Sequence, residues 1–190
     1  MTDWPFRRLA TPRLKLRRLE TGDAAAYLGI FSDTETMRFW SGEPIDTLGE
    51  AREMLDRDLE WVASGAALCW GIALPENDRL VGKISLYLFS RQNRRAEVGY
   101  ILDRAYWGRG LMFEALTTVL DFAFDELALH RIEADVDPHH AASLALLEKL
   151  GFAREGRFRD RWRVHGKWHD SVMLGLLARD YRAAAASRNG

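Results

Sequence analysis

Two glycines separated by a single residue stand between a strand-like segment and a helix-like segment. Residues 97–102 (EVGYIL) form an apolar strand-like run, and a stripe of apolar residues at helical spacing begins at Leu111, directly after Gly108 and Gly110. The first amide groups of a helix have no partners within the helix, and the helix dipole places roughly half a positive charge there. Glycines let an anion approach those amides without meeting a Cβ atom, and Arg109 adds a cation. The pattern favours a diphosphate cradle, with a tight turn and nothing more as the alternative.

Two familiar phosphate-binding loops do not fit this pair of glycines. A P-loop needs a Gly-x-x-x-x-Gly-Lys-Ser/Thr run, which the sequence lacks. The dinucleotide-binding fingerprint needs a third glycine three residues after the second, and that position is Phe113. The fingerprint also belongs to a parallel β-α-β unit, whereas the segments before the glycines are predicted to form an antiparallel hairpin. A nucleotide-binding or redox protein on a doubly wound fold is therefore the weaker alternative.

The whole chain has the pattern of a mixed α and β domain. Apolar runs predict strands over residues 14–17, 67–74, 80–89, 96–102, 131–136, 157–164 and 168–176. Apolar residues at spacings of three and four predict helices over residues 21–31, 46–64, 111–123 and 143–150. This order indicates an α/β (α+β) fold with a mixed, mostly antiparallel central sheet of about seven strands flanked by about four helices. Residues 1–182 are expected to form a single domain, and residues 183–190 a flexible tail.

Composition argues against several classes of protein. The chain has 190 residues, a net charge of −1 and 47% hydrophobic residues, values typical of a globular domain. The small net charge argues against a general nucleic-acid binder, and no apolar stretch approaches the ~20 residues of a membrane span. The start of the chain lacks the apolar core of a signal peptide, so a cytoplasmic location is expected. Cys69 is the only cysteine, and a buried, inert thiol is expected there.

Around the glycine turn the sequence resembles the GNAT acetyltransferase superfamily. That family carries a Gln/Arg-x-x-Gly-x-Gly/Ala motif whose amides hold the pyrophosphate of acetyl-coenzyme A (acetyl-CoA). Aligned on Gly110, the motif spans Trp107 to Met112, with Trp107 in place of Gln/Arg and Met112 in place of the last Gly/Ala. A tryptophan at the first position is similar to the RimJ/RimL branch, which acetylates protein N-termini. A methionine at the last position would narrow the cradle.

The resemblance covers nearly the whole chain in the family's order. The opening of the RimJ/RimL branch resembles ATPRLKLRRLETGDAAAYLGIFSDTETMRFW, and its central strands and cofactor turn resemble LVGKISL and AEVGYILDRAYWGRGLMFEAL. Its second signature resembles HRIEADVDPHHAASLALLEKLGFAREG, and its final hairpin resembles HGKWHDSVMLGLL. The resemblance implies a GNAT acyl-CoA acyltransferase fold and an N-acetyltransferase. The acetyl group would move from acetyl-CoA to a primary amine, on a protein N-terminus or a small molecule, by direct attack in a ternary complex. A homodimer is compatible with this assignment.

The resemblance also implies which residues hold acetyl-CoA. Tyr100, Ile101 and Leu102 would touch the pantetheine arm through backbone groups, where the strand splays away from its neighbour. His140 stands where the family has asparagine, and its imidazole can still donate a hydrogen bond to the same arm. The full donor-binding set is Tyr100, Ile101, Leu102, Trp107, Gly108, Arg109, Gly110, Leu111, Met112, His140 and Ser143.

Acetyl transfer needs a base for the amine and a hydrogen-bond donor for the leaving thiolate. Glu97 is the first candidate base because the resemblance places an acid on this strand. A solvated glutamate on a half-exposed strand is the alternative, since strand alternation does not say which face is buried. Ser143 is the candidate donor to the thiolate, because Leu147 occupies the position of the family's usual tyrosine. A serine that satisfies backbone amides in the first turn of a helix is the alternative.

The acceptor groove is expected between residues 31–43 and the turn 165–169, on the side of the central strands opposite the donor. The candidate acceptor-binding residues are Phe39, Trp40, Glu97 and Asp170, with Glu43 and His165 nearby. Asp170 shares a strand face with apolar residues, so its carboxylate needs a partner or a purpose. An ion pair with an arginine of residues 154–163 is favoured over contact with the substrate amine.

Other functions remain open at this point. His140 could also act as the base, or be a plain loop histidine, and a metal site with His139 is not expected because adjacent side chains rarely converge on one ion. A non-catalytic acyl-CoA-binding module is one alternative function. An acetyltransferase for an amino acid, a polyamine or an antibiotic amine is another. The basic and aromatic residues 154–169 suggest RNA binding, but the acids among them make nucleic acid an unfavoured partner.

Overall fold

Over the residues that the structure describes, the chain folds around one β-sheet of eight strands. A computed structural model describes residues 4–164 and 166–188. The strands are β1 (Leu9–Ala10), β2 (Lys15–Arg17), β3 (Ala67–Ala73), β4 (Leu80–Ser90), β5 (Arg95–Leu102), β6 (Arg131–Val136), β7 (Ala153–Val164) and β8 (Lys167–Leu177). The α-helices are α1 (Ala24–Phe31), α2 (Thr34–Met37), α3 (Leu48–Ala63), α4 (Leu111–Asp121), α5 (Ala141–Leu150) and α6 (Ala178–Arg188).

The sheet opens between two of its central strands. Its order is β1-β2-β3-β4-β5-β6-β8-β7, and β5 with β6 forms the one parallel pair among the described strands. The two strands pair over Arg95–Glu97 and Arg131–Glu133, although both continue beyond these residues. β4 pairs with the other edge of β5 as far as Leu102. Residues 98–102 of β5 and 134–136 of β6 therefore border a gap, which we call the seam.

Helices cover both faces of the sheet. Leu116 of α4 and Leu147 of α5 belong to one buried apolar cluster, and Leu55 of α3 belongs to a second. Consecutive residues of β5 divide between them, with Leu102 in the first cluster and Ile101 in the second. Since successive strand side chains point to opposite faces, β5 is enclosed on both sides. The seam therefore lies in the middle of the protein.

The helix boundaries follow from local sequence. At the start of α3 the side chain of Thr47 accepts a hydrogen bond from the amide of Glu50, and the Glu50 side chain accepts one from the amide of Thr47. This reciprocal capping box satisfies two amides that a helix start leaves without partners. After the helix Gly65 adopts a φ of 74°, as expected for a glycine that ends a helix. The predicted helix over residues 46–64 is thus confirmed.

The predicted fold class is confirmed, with more elements than expected. Eight strands replace about seven because the two-residue β1 carries too little pattern to be read from sequence. Among the described residues six α-helices replace about four, because α2 has only four residues and α6 (Ala178–Arg188) extends into the expected tail, residues 183–190. The extent of the single domain stays a prediction. Within residues 4–164 and 166–188, none of the helices combines the length and apolar character that crossing a membrane requires.

Candidate functional site

A cavity of about 640 Å³ follows the seam and brings together residues that are far apart in sequence. Its wall includes Gly108 and Gly110 from the turn before α4, Glu97 from β5 and His140 from the start of α5. Of the predicted donor-binding residues, all but Arg109 line this cavity, as do Phe39, Trp40 and Asp170. The guanidinium group of Arg109 packs over the ring of Tyr106, which does line the cavity, with 5.5 Å between its carbon and the ring centre. The cavity therefore contains both the expected donor half and the expected acceptor half.

The two glycines of the turn hold backbone conformations that favour glycine. Gly108 has a φ of 71° and Gly110 a φ of 73°, both in the left-handed region that costs other residues about 1–2 kcal/mol. A Cβ atom built on Gly108 would meet no atom within 4 Å, so the space beside the turn is open. α4 begins immediately afterwards at Leu111, and the first amides of a helix have no partners within it. This geometry is compatible with an anion cradle, and phosphate binding at the turn stays a prediction.

Arg13 supports the glycine turn from a distant part of the chain. Its Nη1 donates a 2.9 Å hydrogen bond to the carbonyl oxygen of Arg109, and its Nε donates a 2.6 Å bond to Glu114 in the first turn of α4. One guanidinium group thus ties the middle of the turn to the helix that follows it. No local pattern predicts this contact, because Arg13 and Arg109 are 96 positions apart in the chain.

Trp107 and Met112, the two departures from the family motif, both have structural contacts. The indole Nε1 of Trp107 donates a 2.7 Å hydrogen bond to the carbonyl oxygen of Leu102, so the tryptophan fastens the turn to the end of β5. Met112 is 8% exposed and belongs to the apolar cluster under α4. Both side chains also border the cavity, where they would reduce its width beside the turn.

Glu97 is buried, which favours the functional alternative over a solvated glutamate. It is 8% exposed, and Oε1 accepts a 2.7 Å hydrogen bond from the hydroxyl of Tyr87 on β4. Burial raises the pKa of Glu97, and the nearby carboxylates of Asp135 and Glu133 raise it further. No ion pair among the described residues includes Glu97. A buried acid with a raised pKa and a neutral partner is a stronger proton acceptor than a surface glutamate.

Ser143 faces a second hydroxyl group rather than the amides of its helix. Its Oγ lies 2.6 Å from the hydroxyl oxygen of Tyr100 on β5, and the serine is 7% exposed. Burial raises the pKa of Tyr100 to about 12, so the phenol stays protonated. Ser143 is the third residue of α5, and no side-chain bond caps that helix at His140. The helix-cap alternative for Ser143 therefore has no contact to support it.

His140 connects the two halves of the cavity. Its ring stacks on Phe39, with 4.5 Å between ring centres and 18° between planes. Burial lowers the pKa of His140 although Asp137 opposes the shift, so the imidazole is neutral near pH 7. His139 turns away and contacts Asp137 through Nδ1 at 2.9 Å. Among the described residues no three His, Cys, Asp or Glu side chains form a group that could hold a metal ion.

Asp170 makes the structural ion pair that the sequence favoured. Its Oδ2 lies 2.6 Å from Nη2 of Arg157, and its Oδ1 accepts a 2.9 Å hydrogen bond from the amide of Asp160. That amide bond, together with the Arg157 guanidinium, lowers the pKa of Asp170. Of the other expected acceptor residues, Glu43 does not line the cavity and His165 lies outside the described residues. A substrate contact by Asp170 stays a prediction.

Several cavity residues were missed from sequence. Tyr87 holds Glu97, and Asp135 accepts a 3.1 Å hydrogen bond from Nε1 of Trp162. Lys83 also lines the cavity, and its ammonium group pairs with Asp58. The sequence offered one clue to two of them. Lys83 and Tyr87 are an even number of residues apart on a predicted strand, so their side chains are expected on the same face.

Cys69 is buried as expected. It is 3% exposed, and its Sγ accepts a 3.2 Å hydrogen bond from Ser85. Burial raises the pKa of the thiol to about 11, so it carries little of the thiolate that a nucleophile needs. The cysteine is also absent from the cavity wall. An acyl-cysteine intermediate therefore has no support here.

Comparisons with known proteins agree with this geometry. The family model described as Acetyltransferase (GNAT) domain matches residues 13–153. The N-acetyltransferase p20 of Bacillus licheniformis, which is described as uncharacterized, is 35% identical over 173 residues, covering 91% of this chain and 97% of the relative. The [ribosomal protein uS5]-alanine N-acetyltransferase of Escherichia coli is 29% identical over 184 residues, 93% of this chain and 94% of its own. The spermidine N(1)-acetyltransferase of the same species is 24% identical over 170 residues, with coverage of 90% and 89%.

Solved structures share the architecture. A GNAT-family acetyltransferase from Bacillus anthracis superposes with a TM-score of 0.79 and 26% identity, covering 91% of this chain and 99% of that chain. The RimJ protein of Mycobacterium smegmatis in complex with CoA-disulfide superposes with a TM-score of 0.82 over 98% of this chain and 96% of that chain. The two sequences are 23% identical, so this likeness shows a shared fold and nothing more.

Proposed function

Because the chain belongs to the GNAT acetyltransferase family, we propose that it moves the acetyl group of acetyl-CoA directly to a primary amine bound in the same complex. The chain is an acyltransferase that resembles the RimJ/RimL branch. What we propose beyond this is the identity of the acetyl donor, the class of amine acceptor and the side chains that take part in the reaction. One observation carries it: a single cavity is lined both by the glycine turn and by the buried carboxylate of Glu97.

The residues of the turn fit the diphosphate of acetyl-CoA. A Cβ on Gly108 would enter empty space, which leaves the path to the leading amides of α4 open. Those amides would bind phosphate oxygens, and the helix dipole would add to the attraction. The free edge of β5 at Tyr100, Ile101 and Leu102 supplies backbone groups for the pantetheine amides. Acetyl-CoA itself supplies an activated acetyl group as a thioester.

Two side chains are proposed to assist the reaction. Glu97 would accept a proton from the amine, which attacks only in its neutral form. A protein N-terminus has a pKa near ~7.7–8.0 and a lysine near ~10.4, so an N-terminus needs less help from this base. Ser143 would donate a hydrogen bond to the leaving sulfur as negative charge develops there. Holding the two substrates together would supply most of the rate enhancement.

The acceptor is proposed to be a protein N-terminus or a small-molecule amine in the cytoplasm. Phe39 and Trp40 give the acceptor half of the cavity an aromatic wall, and such faces attract ammonium groups. The buried charge of Glu97 would add to this attraction. The relatives named above act on an alanine N-terminus and on spermidine, so both kinds of acceptor belong in the test.

The experiment measures release of free CoA thiol from acetyl-CoA with a panel of amines. The panel contains an alanine-led peptide, spermidine and free amino acids, and each product is checked by mass. We expect turnover with at least one amine and loss of most of it in Glu97→Gln. Glu155→Gln, which removes the carboxylate that Glu155 of β7 offers to Arg131 of β6, is the matched control and should retain activity. Acetyl-CoA binding without turnover on any amine would overturn the proposal, as would stabilisation by nucleotides but not by CoA.

A further inference from the structure

Two hydroxyl groups meet on the donor side of the cavity. Tyr100 on β5 and Ser143 on α5 are 43 residues apart in sequence, and their hydroxyl oxygens lie 2.6 Å from each other. Both residues line the cavity beside the seam. A separation this short marks a strong hydrogen bond between hydroxyl groups. The donating hydroxyl therefore cannot rotate without breaking the contact, and the accepting hydroxyl keeps its own hydrogen turned away from its partner.

Chemistry indicates which hydroxyl donates. A phenol has a pKa near ~10 and is far more acidic than an aliphatic hydroxyl, so it is the better donor and the poorer acceptor. Tyr100 therefore donates and Ser143 accepts. Each hydroxyl has a single hydrogen atom, and the hydrogen of Ser143 is left to bond with something else.

Neither of two nearby residues offers a hydroxyl to the leaving sulfur in place of Ser143. Leu147, one helical turn after Ser143, is fully buried in the apolar cluster under α5 and has no polar atom. The phenol of Tyr87 is on the other face of the sheet, where it holds Glu97. In the part of the chain that the structure describes, the hydroxyl of Ser143 is hydrogen-bonded to that of Tyr100.

We propose that Tyr100 is a positioning residue that fixes the hydroxyl of Ser143 so that its hydrogen points at the leaving sulfur. This inference rests on the proposed function. As the nitrogen–carbon bond forms, the carbon–sulfur bond breaks and its electron pair stays on sulfur. The proton lost by the amine goes to Glu97, and the thiolate accepts the hydrogen bond of Ser143 without a covalent proton transfer. A hydroxyl that is already oriented needs no reorganisation at that moment, which is how a fixed dipole lowers a barrier.

The test is a double-mutant cycle on kcat with acetyl-CoA and the best amine of the panel. Tyr100→Phe keeps the ring and removes only the hydroxyl, and Ser143→Ala removes the group it orients. We expect Tyr100→Phe to lower kcat roughly tenfold, the effect of about one lost hydrogen bond, with the KM of the amine unchanged. In the Ser143→Ala background the same change should have no further effect, because nothing is left to orient.

Tyr87→Phe is the matched control. It removes a phenol hydroxyl from the same cavity that contacts Glu97 instead, so its effect on kcat should be the same with and without Ser143. Ser143→Thr keeps a hydroxyl and should restore the sensitivity to Tyr100→Phe. All kcat values are taken well below the melting temperature of the least stable variant, so that unfolding does not enter the ratio.

The outcomes separate this inference from the proposed function. If the wild-type chain acetylates no amine, the proposed function fails first. If the wild type is active and Tyr100→Phe matches it, the inference is wrong while the function stands. An equal tenfold loss in the presence and absence of Ser143 would also overturn the inference, since Tyr100 would then act independently.

Discussion

The hydroxyl of Tyr87 donates a 2.7 Å hydrogen bond to the carboxylate of Glu97, and the two residues are directly paired across β4 and β5. This neutral donor compensates the buried charge only in part, because the pKa of Glu97 is still raised, chiefly by burial. The protein therefore retains an acid that is costly to keep ionised. Such a group weakens the fold at neutral pH while it strengthens a base.

Glu97→Gln is expected to stabilise the protein at neutral pH and to impair the reaction. Because the folded-state pKa of Glu97 is raised, its destabilising effect is absent below the unfolded pKa and grows as pH rises through the folded pKa. The melting temperature of the variant should exceed that of the wild type at pH 7, and the two should converge in acid. Its kcat/KM should fall by about 100- to 10 000-fold if Glu97 is the base.

Glu155→Gln is expected to change the melting temperature at pH 7 in the opposite direction from Glu97→Gln. A hydrogen bond from Arg131 lowers the pKa of Glu155, so this carboxylate contributes stability above its unfolded pKa. That contribution is lost as pH falls through the folded pKa. The Glu155 variant should therefore melt below the wild type at pH 7 and approach it in acid. If the Glu97 and Glu155 variants shifted in the same direction at pH 7, the assignment of the two pKa directions would be wrong.

Removal of Asp23 should destabilise the fold strongly. Arg17 and Asp23 form a two-point ion pair at 2.8 and 2.9 Å, with side chains 9% and 8% exposed. Asp23→Ala would leave the buried guanidinium with Asp78 as its remaining carboxylate, 2.9 Å from Nε, at a cost of roughly 3 kcal/mol in the free energy of unfolding, the lower end of the range for a broken buried pair. Glu35→Ala breaks an exposed pair with Arg38 and should cost about 0–1 kcal/mol. Urea denaturation of both variants checks the difference, and similar costs would contradict it.

Gly110→Ala should weaken both the fold and the binding of acetyl-CoA. Alanine at a φ of 73° costs about 1–2 kcal/mol, and relaxation of that strain would move the amides that lead into α4. Gly29→Ala is the matched control, because Gly29 lies inside α1 where an added Cβ meets no atom within 4 Å. The free energy of unfolding of this control variant should instead rise by about 0.5–1 kcal/mol. Thermal denaturation and calorimetric titration with acetyl-CoA report the two effects.

Arg13→Gln should raise the KM for acetyl-CoA about tenfold while kcat changes little. The variant loses a charged hydrogen bond to Arg109 and the pair with Glu114, so the glycine turn becomes less ordered before the donor binds. Arg7→Gln removes another exposed arginine of the same segment, one that pairs with Glu126 away from the turn. The control should leave the KM unchanged. Equal donor KM values for Arg13→Gln and wild type would exclude a role for Arg13 in the cradle.

The parts of the fold that could be predicted are those with long periodic patterns. Helix α3 has 16 residues with apolar side chains at helical spacing, a capping box and a terminal glycine, so local chemistry alone defines it. β1 and α2 have two and four residues, which is too short for a period to be recognised. α6 was missed because its run of alanines and polar residues resembles a fraying tail, although Tyr181 anchors it in the apolar core.

The same division holds for the candidate site. Gly108 and Gly110 could be recognised from sequence because they stand between a predicted strand and a predicted helix that are adjacent in the chain. The exposure of Glu97 could not be decided from alternation, since both faces of β5 are covered by helices. Arg13, Tyr87 and the partnership of Tyr100 with Ser143 depend on contacts between segments far apart in sequence. No local pattern encodes which distant side chains will meet.

The short parallel pairing of β5 with β6 has one more consequence. An unpaired strand edge can bind a ligand through its backbone N–H and C=O groups, which are the same whatever side chains the strand carries. Substitutions can therefore accumulate around the entrance without erasing the recognition surface. Residues 98–102 of β5 therefore present the same backbone groups along the seam whatever side chains stand at Trp107, Met112 and His140.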